Sequence, residues 1–237
     1  MLSIIIPVKD EENSIQNVVD QFKINPPCPS YEVLFVNDFS KDNTLKLIKD
    51  ISSKNNLIKV LNNENIGLGS AISLGIKKST GDYCCIMMSD LSDSLEDLKK
   101  YHDIIKNEDI DSVFGSRFLK GSIVKNYPLR KLILNRIFNL FTKIIFLSDY
   151  NDFTNAFKIY KRKALLELMP FVSEGFNVFL EIPLKIISRK YEYRITSISW
   201  INRKYGKSKF EIKELRSKYL FTLFYCFFEK ILIKKKK

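Results

Sequence analysis

At 237 residues the chain is long enough for one domain of ordinary size with an appendage, and 45% apolar residues exclude a disordered protein. Its formal net charge of +12 calls for an anionic partner: nucleic acid, an anionic membrane surface or a phosphorylated substrate. No CxxC pair occurs and His102 is the single histidine, which argues against a zinc site; Cys28, Cys84, Cys85 and Cys226 read as reduced core residues in the cytosol.

The chain does not open as a signal peptide. Leu2 to Ile6 is apolar but short, and Pro7 with Lys9-Asp10-Glu11-Glu12 ends it. Two periods then alternate. Ser3–Val8 is a β-branched run and reads as a buried strand; Ile15, Val18, Val19 and Phe22 have helical spacing within Ser14–Phe22. Tyr31–Val36 is the second strand, followed by a turn at Asp38–Ser40 and a helix over Asn43–Ile51. Leu57–Leu61 is the third strand, Gly67–Lys78 the third helix and Tyr83–Met88 the fourth strand. Adjacent Cys84 and Cys85 on that strand should point to opposite faces. Strands alternating with helices imply right-handed crossovers and a largely parallel sheet.

Such sheets bind ligands at the carboxyl ends of their strands. The residues there are Pro7 to Glu12, Asn37 to Ser40, Asn65 to Gly67 and Ser89 to Asp93. Three of the four segments carry carboxylates, which repel unless a cation or a donor-rich ligand offsets them. A divalent metal on a nucleoside diphosphate is one such ligand, since hard oxygens suit Mg²⁺ or Mn²⁺. Asp and Asn after a strand also cap helices, the simpler account of any single position.

Pro7-Val8-Lys9-Asp10-Glu11-Glu12-Asn13-Ser14-Ile15, Val36-Asn37-Asp38-Phe39-Ser40-Lys41-Asp42-Asn43-Thr44, Asn65-Ile66-Gly67 with Ala71, Gly75 and Gly81-Asp82, and Ser89-Asp90 fall in order. They are followed by Gly115-Ser116-Arg117-Phe118, Asp152 to Lys158, Gly175-Phe176 with Glu181, and Arg203 to Lys209. The ordered set, covering about residues 1–210, resembles family-2 glycosyltransferases, in the dolichol-phosphate mannosyltransferase-like branch. The resemblance implies a GT-A-type, Rossmann-like α/β domain with a mostly parallel sheet. It implies an inverting transfer of one sugar from a nucleotide donor, GDP- or UDP-linked, to a polyprenyl phosphate. The attacking phosphate oxygen is already ionised, so no general base is needed, and His102 has no catalytic part. Positive charge is needed instead, from Mg²⁺ or Mn²⁺ and from Arg or Lys.

Carried over residue by residue, the resemblance gives Asp90, Arg117 and Arg203 catalytic roles. Pro7, Lys9, Glu11, Asp38, Asn65, Gly67, Ser89, Asp90, Arg203 and Lys209 bind the nucleotide sugar, with Asp38 reading the base. Arg117 meets the acceptor phosphate, with Arg130 or Lys131; Asp152 and Glu181 support the site from behind. Asp90 and Asp93 hold the metal. The sequence departs from the pattern at Met88, where the family's DxD has its first Asp; at Lys9, where Tyr is usual; and at Asn155-Ala156, where Ser-Gly is usual. The metal set and the substrate are the features these changes touch.

Tyr219 to Ile233 reads YLFTLFYCFFEKILI and precedes Lys234 to Lys237. At ~1.5 Å per residue the run is too short to span a bilayer and fits a helix lying in the interface. Ile133 to Phe146 offers a second such helix; core packing is the alternative for both. The expected organisation is a catalytic domain over 1–210 and an interface helix with a basic tail over 211–237, peripheral on the cytoplasmic face of an anionic membrane. A same-fold transferase with a saccharide acceptor, or a degenerate nucleotide-sugar-binding protein, are the competing readings. Nucleic acid is not an expected partner, because the basic residues are dispersed and no binding module is visible.

Overall fold

A computed structural model describes residues 1–202 and 212–232. The first half alternates strand and helix: β1 (Leu2–Val8), α1 (Glu12–Ile24), β2 (Tyr31–Asn37), α2 (Thr44–Ser52), β3 (Ile58–Asn62), α3 (Leu68–Lys78), β4 (Tyr83–Ile86) and α4 (Leu95–Asn107). The second half holds β5 (Ser112–Ser116), β6 (Ile123–Lys125), α5 (Leu129–Phe146), β7 (Lys158–Lys161), α6 (Arg162–Leu168), α7 (Val178–Ser188), β8 (Tyr193–Ser197), β9 (Ser199–Ile201) and α8 (Ile212–Leu232). Seven strands form the main sheet in the order β3-β2-β1-β4-β7-β5-β8, and β6 pairs with β9 in a small parallel ribbon. Every main-sheet pair is parallel except those of β7, which runs antiparallel between β4 and β5.

The strands are apolar on both faces because both faces are covered. On one side Ile5, Val36, Cys84 and Ile86 pack with Ala71, Ile72 and Ile76 of α3 and with α6, α7 and α8. On the other, Leu2, Ile4, Ile6, Cys85 and Met87 meet Ile15, Val18 and Val19 of α1, Ile48 of α2 and Leu98 of α4. Cys84 and Cys85 therefore do face opposite layers, as free thiols. Burial pushes the Cys84 thiol up to about 12, so it is inert.

The four strands read from periodicity are present within a residue or two. β4 ends at Ile86 rather than Met88: Met87 N–H still donates to Ile5 O (3.0 Å), but Met88 has left the ladder. At the amino edge of the sheet Glu32 of β2 gathers β1, β3 and the loop before β4. Its Oε1 accepts Ser3 Oγ (2.6 Å), Thr80 N–H (2.7 Å) and Thr80 Oγ1 (2.9 Å), and Lys59 Nζ lies 2.6 Å from Oε2.

The C-terminal helix packs one face against the protein and leaves an apolar face exposed. Tyr219, Thr222, Leu223 and Cys226 are buried, while Phe221, Phe224, Phe228 and Ile231 are exposed. Thr222 accepts from Asn177 Nδ2 (2.9 Å), and Glu229 pairs with Arg189 (2.6 Å). Core packing thus accounts for one face of this segment, and the other face is apolar and exposed. The stretch between positions 202 and 212, where the two expected domains would divide, lies outside the described residues.

Candidate active site

Backbone strain marks the carboxyl edge of the sheet. Asp10 (φ 50°), Phe39 (φ 56°) and Leu91 (φ 53°) lie just past β1, β2 and β4, and all three are left-handed non-glycine residues. Such conformations cost on the order of 1–3 kcal/mol each and persist where surrounding bonds impose them. Here the bonds are plain. Asp10 N–H donates to Ser40 Oγ (3.1 Å), and Asp10 Oδ1 accepts Lys41 N–H (2.6 Å). Glu11 N–H donates to Thr44 Oγ1 (2.8 Å), and Glu12 accepts Asn43 N–H (2.9 Å). The first two loops are laced into one rim, with Pro7 buried at its base.

Asp38 sits at the centre of this rim, 7% exposed. Its Oδ1 accepts Asn63 Nδ2 (2.8 Å) and Gly67 N–H (2.9 Å), leaving Oδ2 toward Lys9 Nζ at 3.9 Å. One carboxylate oxygen is therefore fixed by the protein and the other points to a cation or a ligand donor. Gly67 adopts φ 134°, and a Cβ on Gly69 would lie 1.8 Å from Ser173 O. These glycines let the loop before α7 close over the start of α3, where Gly69 N–H donates to Glu174 O (2.9 Å). Glu181 fixes that loop from behind, accepting Val172 N–H (3.0 Å) and Ser173 N–H (2.8 Å) while pairing with Lys185 (2.7 Å). Asn65 is exposed beside it and Ser89 is buried.

Beyond β4 the chain carries Asp90 and Asp93. Asp90 Oδ1 accepts Ser92 N–H (3.1 Å). Asp93 is buried, and its Oδ1 has no hydrogen-bond partner. Burial, with the Asp90 charge second, pushes its carboxyl up to about 8. Met88 packs its thioether against the apolar core, and so contributes no hard oxygen. Among the described residues no three His, Cys, Asp or Glu side chains converge as a metal-holding group. Two carboxylates still fit a divalent ion that takes its remaining oxygens from substrate phosphates and water, the usual arrangement for Mg²⁺. The orphaned Asp93 oxygen is consistent with that fit.

Arg117, at the end of β5, is held more tightly than its sequence block suggests. Nε and Nη2 donate to Asp152 Oδ2 (2.8 Å) and Oδ1 (2.6 Å), and its own N–H donates to Oδ2 (2.9 Å). Its guanidinium carbon lies 5.5, 5.4 and 5.6 Å from the rings of Phe118, Tyr127 and Trp200. Lys158, fully buried, completes the group by donating to Phe153 O and Asn155 O. Burial, with Arg117 nearby, drives its amine down to about 7.

The residues read from the sequence thus divide into four sets. Lys9, Asp38 and Gly67 are together on one side of the edge, and Asp90, Asp93, Arg117 and Asp152 on the other. Arg130 is exposed on the first turn of α5, with Lys131 half-buried. Arg203 and Lys209 lie outside the described residues. The sequence reading missed Asn63, Lys158, Trp200 and Arg136. Asn63 had a signal, a polar side chain just past a strand; Lys158 closed the Asp152 block without a role of its own, and Arg136 looks like an ordinary surface cation in a Lys-rich sequence. His102 stands away from the edge on α4, edge-on to Tyr83 at 5.7 Å.

Known proteins agree with this geometry. The chain is 28% identical over 188 residues to a dolichol-phosphate mannosyltransferase of Pyrococcus furiosus, covering 78% of this chain and 52% of that protein. It thus spans about half the length of that relative. It is 24% identical over 220 residues to a polyprenol monophosphomannose synthase of Mycolicibacterium smegmatis, covering 90% of this chain and 82% of the relative. Among solved structures, glucosyl-3-phosphoglycerate synthase of Mycobacterium tuberculosis, in complex with Mn²⁺, uridine diphosphate and glucosyl-3-phosphoglycerate, shares the fold at TM-score 0.71. That match has 17% identity and covers 95% of this chain and 79% of the other. The profile of glycosyl transferase family 2 matches residues 3–169, well over half of the sequence, and the chain belongs to that family.

Proposed function

We propose that the chain is an inverting glycosyltransferase that moves a sugar from a GDP- or UDP-sugar to a polyprenyl phosphate at a membrane surface. The observation that carries the reading is the inverted polarity of α5. Its buried residues are Asn139, Thr142 and Phe146, two of them polar, while Ile133, Ile137, Leu140 and Ile144 are 50–62% exposed. A water-facing helix would have the opposite pattern. The same helix is bonded to the Arg117 group: Asn135 Nδ2 donates to Thr154 Oγ1 (2.7 Å), and Asn139 Oδ1 accepts Phe153 N–H (2.6 Å), next to Asp152. An apolar, exposed face beside a built cationic site suits an acceptor with a greasy chain and a phosphate head. The names of the two curated relatives favour the same acceptor class.

In this reading Lys9, Asp38, Asn65 and Gly67 hold the nucleotide, and Asp38 Oδ2 accepts the base imide. Asp90 and Asp93 would hold Mg²⁺ or Mn²⁺, which supplies positive charge to the diphosphate when bound. Arg203 and Lys209 act on the donor phosphates. The acceptor phosphate oxygen attacks the anomeric carbon from the face opposite the leaving diphosphate; as an anion it needs no base. The aromatic wall of Phe118, Tyr127 and Trp200 keeps water from that carbon. No helix among the described residues is long and apolar enough to cross a membrane, and the attachment proposed is peripheral. Radiolabelled nucleotide sugars, each incubated with Mn²⁺ and with or without polyprenyl phosphate in vesicles, test the reading. A lipid-extractable product formed only with the phosphate is expected. Transfer to free sugars without it would replace this reading with that of a saccharide acceptor.

A further inference from the structure

Arg117 alone cannot neutralise an acceptor phosphate. Two of its guanidinium nitrogens are committed to Asp152, which is fully buried, so the pair presents little net charge outward. A phosphate monoester carries about −1.5 to −2 at pH 7, so a second cation must stand nearby. Arg136 stands there. It is exposed on α5, and its guanidinium carbon lies 4.5 Å from the Phe118 ring, the ring that also receives Arg117 at 5.5 Å. Among the described residues Arg136 has no carboxylate partner, and neither Arg130 nor Lys131 makes a contact with that ring. Ile133 and Leu140, three residues before it and four after, flank it on the helix surface, and both are exposed. Arg136 therefore sits where the apolar face of α5 meets the Arg117 group.

We propose that Arg136 binds the phosphate monoester of the acceptor, with Phe118 as the platform that holds both guanidinium groups at the site. The proposal rests on the acceptor reading above. It gives Arg117 a different part from the one expected for it: held by Asp152, it shapes the site, and Arg136 supplies the uncompensated charge. A planar guanidinium stacked on a ring keeps its edge donors free for oxygen, which an ammonium does less well.

Trp200 is the single tryptophan of the chain and lies against Arg117, so its fluorescence reports the site. The full chain is titrated with farnesyl phosphate, farnesol, phosphoglycerate and inorganic phosphate. Farnesyl phosphate is expected to bind well above farnesol. Arg136→Gln should weaken it at least tenfold, Arg136→Lys should recover part of the loss, and calorimetric binding of UDP or GDP should be unchanged in both. Equal farnesyl phosphate affinity in wild type and Arg136→Gln overturns the assignment and leaves the acceptor reading intact. Farnesol binding as tightly as its phosphate overturns both. An Arg136-dependent loss seen equally with phosphoglycerate or inorganic phosphate upholds the residue and overturns the lipid half of the acceptor reading.

Discussion

At the level of single residues, the carboxylates of this protein do opposite work at the two ends of the sheet. At the amino end Glu32 is satisfied: burial alone would raise its pKa, but Lys59, Ser3 and Thr80 together hold it at about 2. A carboxyl depressed in the folded state stabilises above its unfolded value of about 4.5 and loses that contribution as pH falls toward 2. The contribution is on the order of 3 kcal/mol. Urea denaturation should therefore show stability falling between pH 4.5 and 2, and Glu32→Gln should flatten that slope while lowering stability at pH 7. A slope identical in the variant would mean that other carboxylates carry it. At the carboxyl end Asp93 is buried with one carboxylate oxygen unpartnered, as a site for a cation requires. Asp90→Asn should lower turnover by at least ~10² with an unchanged melting temperature, the range for removing one electrostatic stabiliser. Near-normal activity of that variant would remove Asp90 from the metal set.

At the level of elements, what could be read from the sequence depended on whether its cause was local. β1 to β4 announce themselves because each is an apolar run ended by polar loop residues, and their order alone implies a parallel sheet. β7 does not: Lys-Ile-Tyr-Lys carries two charges in four residues, and Lys158 is buried with its amine on the Phe153 and Asn155 carbonyls, near Asp152. The strand-end acids were legible by position and the Arg117 block by resemblance, but the Asp152 clamp on Arg117 and the Phe118 contact of Arg136 are tertiary. For α5 and α8 the apolar residues were legible, though the side of each helix that meets protein was not. The contacts make that side testable. Leu223 is fully buried and Phe228 is 57% exposed. Leu223→Ala should cost about 2–5 kcal/mol, whereas Phe228→Ser should stay within about 0.5 kcal/mol. Gly69→Ala tests the junction between α3 and the loop before α7. Its Cβ would overlap Ser173 O, so the loop must shift, at about 1–3 kcal/mol. Nucleotide affinity should fall with stability, because Gly67 and Asp38 share the junction; a variant with unchanged calorimetric affinity would separate the loop from the donor site.

For the molecule as a whole, the charge of +12 is not spread evenly over function. Positions 118–147 hold Lys120, Lys125, Arg130, Lys131, Arg136 and Lys143 and no Asp or Glu. This stretch contains α5, with its exposed Ile137, Leu140 and Ile144, and α5 touches α8, whose Phe224 and Phe228 are exposed. A surface that is apolar and cationic at once complements an anionic bilayer in both respects. Each Lys or Arg near such a surface contributes about 1 kcal/mol, screened within a Debye length of ~8 Å at physiological salt. Apolar burial, at roughly 25 cal/mol per Å², is not screened. The two parts can therefore be told apart. The full chain should co-sediment with phosphatidylglycerol vesicles at low salt, retain part of that binding at high salt, and bind phosphatidylcholine vesicles weakly. Ile137→Asp with Ile144→Asp should abolish the salt-resistant part without lowering the melting temperature, because neither side chain supports the core. Lys125→Gln with Lys143→Gln should reduce only the salt-sensitive part. Full release at high salt from the unmodified chain would mean the contact is electrostatic alone. Undiminished sedimentation of the double aspartate variant would move the membrane-facing surface off α5.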